Sequence, residues 1–145
     1  MELNSDKSKI IKFIKKHHVF TLASCINNLP YCANLFYALL EEEFCLVFVS
    51  DRETRHICEM LQNELVAGTI VLETKVVGKI QGLQFCGRMK ELSDSLRAKA
   101  KRAYIRRFPY SAVMLDAEYW AVEFEYLKLT DNSLGFGKKI IWEKA

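Results

Sequence analysis

The apolar positions of this chain change period several times, and each change marks an element. In SDKSKIIKFIKKHH (5–18), Ile10, Ile11 and Ile14 recur at helical spacing. Ser5 or Asp6 suits the N-cap, and the lysines and His17–His18 fall late, where cations favour a helix C-terminus. VFTLASCI (19–26) is rich in β-branched and aromatic residues and predicts a strand. NNLP (27–30) turns the chain, because asparagine tolerates left-handed backbone. YCANLFYALL (31–40) returns as a second strand, EEE (41–43) turns again, and FCLVFVS (44–50) makes a third.

Within DRETRHICEMLQN (51–63) the period lengthens, and Ile57, Met60 and Leu61 predict a short helix from about Thr54. LVAGTIVLE (65–73) predicts a fourth strand and VVGKIQGLQFCGRMKEL (76–92) a long fifth, its glycines marking bends or bulges. SDSLRAKAKRAYIRRFP (93–109) predicts a helix capped by Ser93 and stopped before Pro109. Leu96, Ala100 and Ala103 share one face of it; Lys99, Arg102 and Arg106 share the other. YWAVEFEYLKLT (119–130) alternates as a sixth strand. Six strands joined as antiparallel neighbours, with three helices, predict a mainly β protein. The expected form is a small closed or nearly closed six-stranded antiparallel barrel with helices at its rim, an open α+β sheet being the alternative. A length of 145 residues suits one domain spanning 1–145.

Charge sharpens this picture only locally. The net charge is +3, yet residues 97–108 hold six basic residues and no acid, leaving −3 for the rest. That helix suits either a solvated face or contact with nucleic acid or another anionic partner, although no RNA-binding motif accompanies it. The five cysteines form no C-x-x-C pair, so free thiols in a reducing compartment are expected rather than disulfides or zinc. No secretory signal is visible, and no apolar run approaches the ~20 residues that span a bilayer. A cytoplasmic protein without a membrane role is expected.

The candidate chemistry lies at a few positions. In VFVSDRETRH (47–56) a strand ends at Ser50 and a helix starts at Thr54-Arg55-His56. A helix start offers free amides and a partial positive charge, and hydroxyls with a guanidinium suit a phosphate. The same residues also suit ordinary capping. The three histidines have no spacing that predicts a metal site, and no nucleophile–base pair is legible. GFGKK (135–139) is not a phosphate-binding P-loop: Asn132 stands where the first glycine is required, Lys139 where Ser or Thr is required, and too little chain follows for a helix. It predicts a glycine turn that presents Phe136, Lys138 and Lys139, or else a solvated tail.

Taken in order, the segments YCANLFY, TRH, GLQFCG, AYIRRFP and LTDNSLGFGKKIIW resemble the FMN-binding split-barrel proteins related to pyridoxamine 5′-phosphate oxidase, and more narrowly their YhbP-like branch. The resemblance runs from about residue 9 to 142. It implies a six-stranded split barrel acting as a homodimer, FMN bound at the subunit interface, and a small-molecule redox substrate for a possible oxidoreductase or flavin reductase. The oxidases hold the flavin phosphate with F-Y-T-x4-S-R-K; here Ser50, Thr54 and Arg55 match, and His56 replaces the lysine. Asn34, Leu35 and Phe36 fall where the family lays a strand along the flavin ring, and Gln81 and Gln84 near its polar contacts. The oxidases end in an arginine-rich segment. This chain departs from them there, and Phe136, Lys138, Lys139 and Trp142 are placed as a lid over a flavin or substrate pocket, of the same subunit or its partner. The resemblance equally admits a non-enzymatic module of the same fold that binds haem, a deazaflavin or another ligand.

Overall fold

A two-residue turn sets the first register. Asn27 and Asn28 take φ of 52° and 63°, the left-handed pair that a tight hairpin requires. They join β1 (Val19–Ile26) to β2 (Leu29–Phe36), paired antiparallel from Ile26↔Leu29 to Val19↔Phe36. These coordinates are a computed structural model that describes Glu2–Ala145, with side chains from Asn4 onward; Met1 lies outside the described residues.

The strand expected over 31–40 breaks at Tyr37. Its backbone N–H donates to His18 O at 3.1 Å, its ring is fully buried, and its hydroxyl donates to Ile14 O at 2.6 Å. The chain resumes as β3 (Ala38–Leu40), which pairs with β4 (Cys45–Val49). With β5 (Leu65–Val71), β6 (Gln81–Glu91) and β7 (Tyr119–Asp131), the sheet order is β2-β1-β5-β6-β7-β4-β3, and β8 (Lys139–Glu143) also pairs with β7. The terminal strands of that order, β2 and β3, are separated in the chain only by Tyr37, so the antiparallel sheet curls back on itself. The count is eight strands rather than six. Tyr37 divides one expected strand, and KIIWE, which follows a basic turn and reads as a tail, adds another. The start of the expected fifth strand is also different: Val77–Lys79 form a 3-10 turn and pairing begins at Gln81.

Inside the curl, Phe20, Leu22, Phe48, Phe85, Trp120 and Phe124 are buried to 1% exposure or less. Rings meet edge to face, with 5.6 Å between Phe20 and Phe48 and 5.5 Å between Phe85 and Phe124, the geometry aromatic quadrupoles prefer. Helix α1 (Glu2–Lys16) adds Ile10, Phe13 and Ile14 to this core. It starts earlier than expected, so Ser5 and Asp6 lie within the helix and do not cap it, and His17 and His18 follow its end. Helix α2 (Arg55–Gln62) buries Ile57 and Met60 but leaves Leu61 exposed.

Helix α3 (Asp94–Arg107) covers the outer side of β3, β4 and the start of β7. Ser93 caps it by accepting from Leu96 N–H, and Ala100 and Tyr104 pack on Ala38, Val47 and Tyr119. Strand β4 is therefore covered on both faces. Lys99, expected on the solvated face, instead pairs with Glu42 at 2.9 Å and Glu43 at 2.6 Å.

Two long strands carry the molecule's axis. β6 and β7 pair from Gln81↔Asp131 to Glu91↔Trp120, with a bulge between Cys86 and Gly87. A Cβ on Gly87 would sit 2.1 Å from Glu123 O, so only glycine fits there. At about 3.3 Å per residue, the ten steps of β6 separate its ends by roughly 33 Å.

Candidate functional site

The β4–α2 junction stands at the Glu91 end of that ladder. Ser50 is held on two sides: its N–H donates to Glu118 O at 3.2 Å, and Trp120 Nε1 donates to its carbonyl at 2.9 Å. Its hydroxyl lies 2.6 Å from His56 Nε2 and 3.3 Å from Thr54 Oγ1, while Thr54 Oγ1 donates to Asp51 O at 2.8 Å. Three expected site residues thus form one hydrogen-bonded group. His56 is buried, and burial holds its pKa below the ordinary 6.5, the opposing pull of Glu59 being smaller. Burial thus favours the neutral imidazole, a form that carries none of the charge of the lysine it replaces in the resemblance.

Arg55 is the cation of the group. It projects from the exposed side of α2, with Nε 3.3 Å from Glu59 Oε1 and the guanidinium 4.1 Å over the Tyr31 ring. Thr54 is the N-cap residue but makes no side-chain cap bond, so the first-turn amides of α2 meet no capping side chain. Ser24 donates to Glu59 Oε2 at 2.5 Å and fastens the helix to β1. In front of Thr54 lies an open hollow of about 560 Å³ lined by Asp51, Arg52, Glu53 and Glu118. Arg52 also borders a second cavity of about 370 Å³ with Glu91, Arg97 and Trp120. Arg52 and Arg97 were not legible as site residues, because isolated arginines in loop and helix carry no spacing signal.

The outer face of β1, β2, β5 and the first half of β6 forms the second part of the site. The register aligns Asn34, Thr21, Thr69 and Gln84 in one cross-strand row, continued by Lys128 on β7. Thr21 Oγ1 donates to Asn34 Oδ1 at 2.7 Å, which places both side chains on the same face. The neighbouring row is Cys32, Ala23, Ala67 and Cys86. Val19, Phe36 and Val71 stand further along, 45%, 56% and 65% exposed. No charged residue occupies an outward position from β2 across to Cys86, in a chain that is 27% charged. Of the expected ring-binding residues, Asn34 and Phe36 point outward onto this face, and Leu35 packs inward on the core. Thr21 and Thr69 are new members, foreshadowed only by the alternation of β1 and β5.

Gln81, Phe136, Lys138 and Lys139 gather at the other end of the ladder. Gln81 lines a groove with lysines of α1. Gly135 and Gly137 take φ of 140° and 70°, and Asn132 Oδ1 accepts from Gly137 N–H at 2.9 Å. This makes the expected glycine turn, and it leaves Phe136 85% exposed. Trp142 points back toward the core, its ring 4.8 Å from that of Phe44. Within the chain, these residues and the Ser50–Thr54–Arg55 group do not converge.

No family model matches the chain. Among solved structures, the fold is similar to a haem-binding protein of Mycobacterium smegmatis (TM-score 0.76, 14% identity, 90% of this chain and 55% of that one). It is similar also to an FAD-binding protein of Mesorhizobium loti (TM-score 0.70, 18% identity, 83% and 89%). The haem storage protein HutZ of Vibrio cholerae gives a TM-score of 0.68 at 14% identity over 81% of this chain and 89% of that one. The chain thus shares the curled split-barrel sheet of these neighbours, and it spans only about half the length of the mycobacterial one. Sequence relatives are nearer. A UPF0306 protein of Pasteurella multocida is 39% identical over 138 residues, covering 94% of this chain and 91% of the relative. One of Photorhabdus laumondii is 36% identical over 135 residues, covering 93% and 94%. With such identity over almost the full length of both partners, the chain belongs to the UPF0306 family.

Proposed function

We propose that this chain is a flavin-binding module, with FMN as its cofactor, working as a cytoplasmic homodimer related to the YhbP-like branch of the pyridoxamine phosphate oxidase superfamily. The observation that carries the reading is the uncharged outer face with its row Asn34–Thr21–Thr69–Gln84. A flat, neutral ring system needs an apolar surface with a few donors and acceptors at its edge, and that row supplies amides and hydroxyls. The α2 start fits the phosphate: its first-turn amides lack a cap, and the exposed Arg55 is held by one long ion pair, to the largely covered Glu59, that a phosphate would replace. The acidic lining of Asp51, Glu53 and Glu118 disfavours approach from that hollow, so the phosphate would enter from the Tyr31 side. Tyr31 and Asn34 are three residues apart on β2, about 10 Å, and face opposite sides of the sheet, so the ribityl arm would pass around the edge of β2.

The same uncharged face is large and exposed for a single subunit, and a second copy of the chain is its simplest cover. In such a dimer Phe136, Lys138 and Lys139 of one subunit would close over the site of the other. Bound FMN would supply electron transfer to or from a small-molecule substrate; the chain's own residues bind, orient and exclude water.

The visible spectrum of the purified protein, with and without added FMN, tests this. Saturable FMN binding is expected, weakened about tenfold or more by Arg55→Ala, the scale of one charge-assisted contact. Unchanged affinity removes Arg55 from the phosphate, and a monomer by sedimentation removes the shared site. The second reading is a non-enzymatic module for haem or a deazaflavin, favoured by the haem-binding neighbours and by Cys32 and Cys86 exposed on the same face. A haem band after addition of haemin, with no flavin binding, selects it.

A further inference from the structure

The groove at the α1 end has a chemistry of its own. Lys9, Lys12 and Lys16 follow at intervals of three and four, so one face of α1 presents all three ammonium groups to it. Among the described residues none of the three meets a carboxylate within ion-pair distance, whereas Lys15, on another face, pairs with Glu41. Like charges at these spacings destabilise a helix, and among the described residues no ion pair offsets them. The one acid in the groove, Asp131, is already engaged: its Oδ1 accepts from Ser133 N–H at 2.9 Å and Ser133 Oγ at 2.5 Å.

Beneath the lysines the walls are apolar. Phe13 is 5% exposed and Leu129 3%, and Leu134 of the closing turn forms the opposite lip at 44%. Gln81 adds an amide at the end of β6. The volume is about 360 Å³, inside the range of about 300–1,000 Å³ for small-molecule sites. Apolar walls alone would favour a neutral ligand, and lysines alone a hydrated ion. Together they select a molecule with both parts.

We propose that this groove binds a small amphipathic organic anion. Its apolar body lies on Phe13, Leu129 and Leu134, and its anionic head sits among Lys9, Lys12 and Lys16 with Gln81 as hydrogen-bond donor. This does not rest on the flavin reading.

The probe is 1-naphthyl phosphate, titrated by calorimetry and by amide chemical-shift mapping, with 1-naphthol and inorganic phosphate as single-part controls. Saturable binding with shifts centred on Phe13, Gln81 and Leu134 is expected, and each control should bind at least about tenfold more weakly, since it lacks one class of contact. The three lysines are exposed, so Lys9→Ala/Lys12→Ala/Lys16→Ala keeps the fold and should weaken the probe about tenfold or more. Lys101→Ala/Arg102→Ala/Arg106→Ala, which removes the same charge from exposed positions of α3, should leave it unchanged. Shifts located elsewhere, equal loss in both charge variants, or equal affinity for inorganic phosphate alone would each overturn the assignment.

Discussion

At the β4–α2 end of the long strands, most polar side chains are spent on one another, the buried Tyr119 hydroxyl and the uncapped first-turn amides of α2 being the exceptions. Ser50, Thr54 and His56 form a closed set of bonds, Arg52 lies 3.3 Å from both Glu91 and Glu118, and Arg55 pairs with Glu59. At the α1 end, Lys9, Lys12 and Lys16 have no acidic partner among the described residues, and Lys138 and Lys139 stand exposed where the glycine turn enters β8. The contrast separates two kinds of polar cluster. A satisfied cluster holds a loop in place and responds to a ligand only by exchange of partners. An unsatisfied one carries a standing electrostatic cost that a ligand would relieve. A motif match favours the first end, and unmet charge favours the second.

The two ends are coupled through β6 and β7, and the most severe way to break the comparison is to break that ladder. Gly87 sits at the bulge with Glu123 O where a side chain would be. Gly87→Val therefore forces backbone apart in the centre of the sheet. A loss of about 3 kcal/mol or more is expected, read as a fall in the urea midpoint, with both ends unfolding in one transition. Two separate transitions would show that the ends are independent units.

A milder perturbation acts at the seam. Tyr37→Phe keeps the ring in the core but removes the 2.6 Å bond to Ile14 O, leaving a buried helix carbonyl without that donor. A cost of about 1–2 kcal/mol is expected, with the slope of the denaturation curve unchanged. A changed slope would mean that the curl opens when the seam is weakened.

Much of this architecture was legible because local pattern and tertiary context agree. β1 keeps its predicted bounds since alternation, asparagine turn and burial all point one way, and Ser93 caps α3 as its position before a helical period suggests. Tyr37 was not legible. Its inward turn is compelled by His18 O and Ile14 O, partners that adjoin it only after folding. β8 was hidden for the same reason, since KIIWE is a strand only because β7 extends far enough to pair with it. At the candidate site, the residue types at Ser50, Thr54 and Arg55 could be read from spacing, but their mutual engagement could not. The row Asn34–Thr21–Thr69–Gln84 joins four strands and exists only in the register. The lysines of α1 were read as a helix-end preference, because their groove is completed by Gln81, Leu129 and Leu134 from distant chain.

The gentlest test of the comparison is pH. Burial lowers the pKa of His56 from 6.5, and burial with Lys16, His18 and Arg107 nearby lowers that of His17. Below pH 6.5 the unfolded chain takes up protons that these folded histidines refuse, so the unfolded state binds more protons and stability falls as pH falls. The loss begins near pH 6.5 and continues down to the depressed folded values. The carboxylates held below 4.5 by their partners, such as Glu59 and Glu123, add their own loss only at lower pH. His56→Gln keeps a hydrogen-bonding side chain beside Ser50 without a titrating group. It should flatten part of the decline in melting temperature between pH 6.5 and 5, and His17→Gln should flatten the remainder. His17 stands at the α1 end and His56 at the other, so the two variants divide one acid transition between the ends. If His56→Gln leaves the whole decline in place, the closed group at Ser50 admits a proton more readily than its burial implies. The distinction between a satisfied end and an unsatisfied one would then narrow.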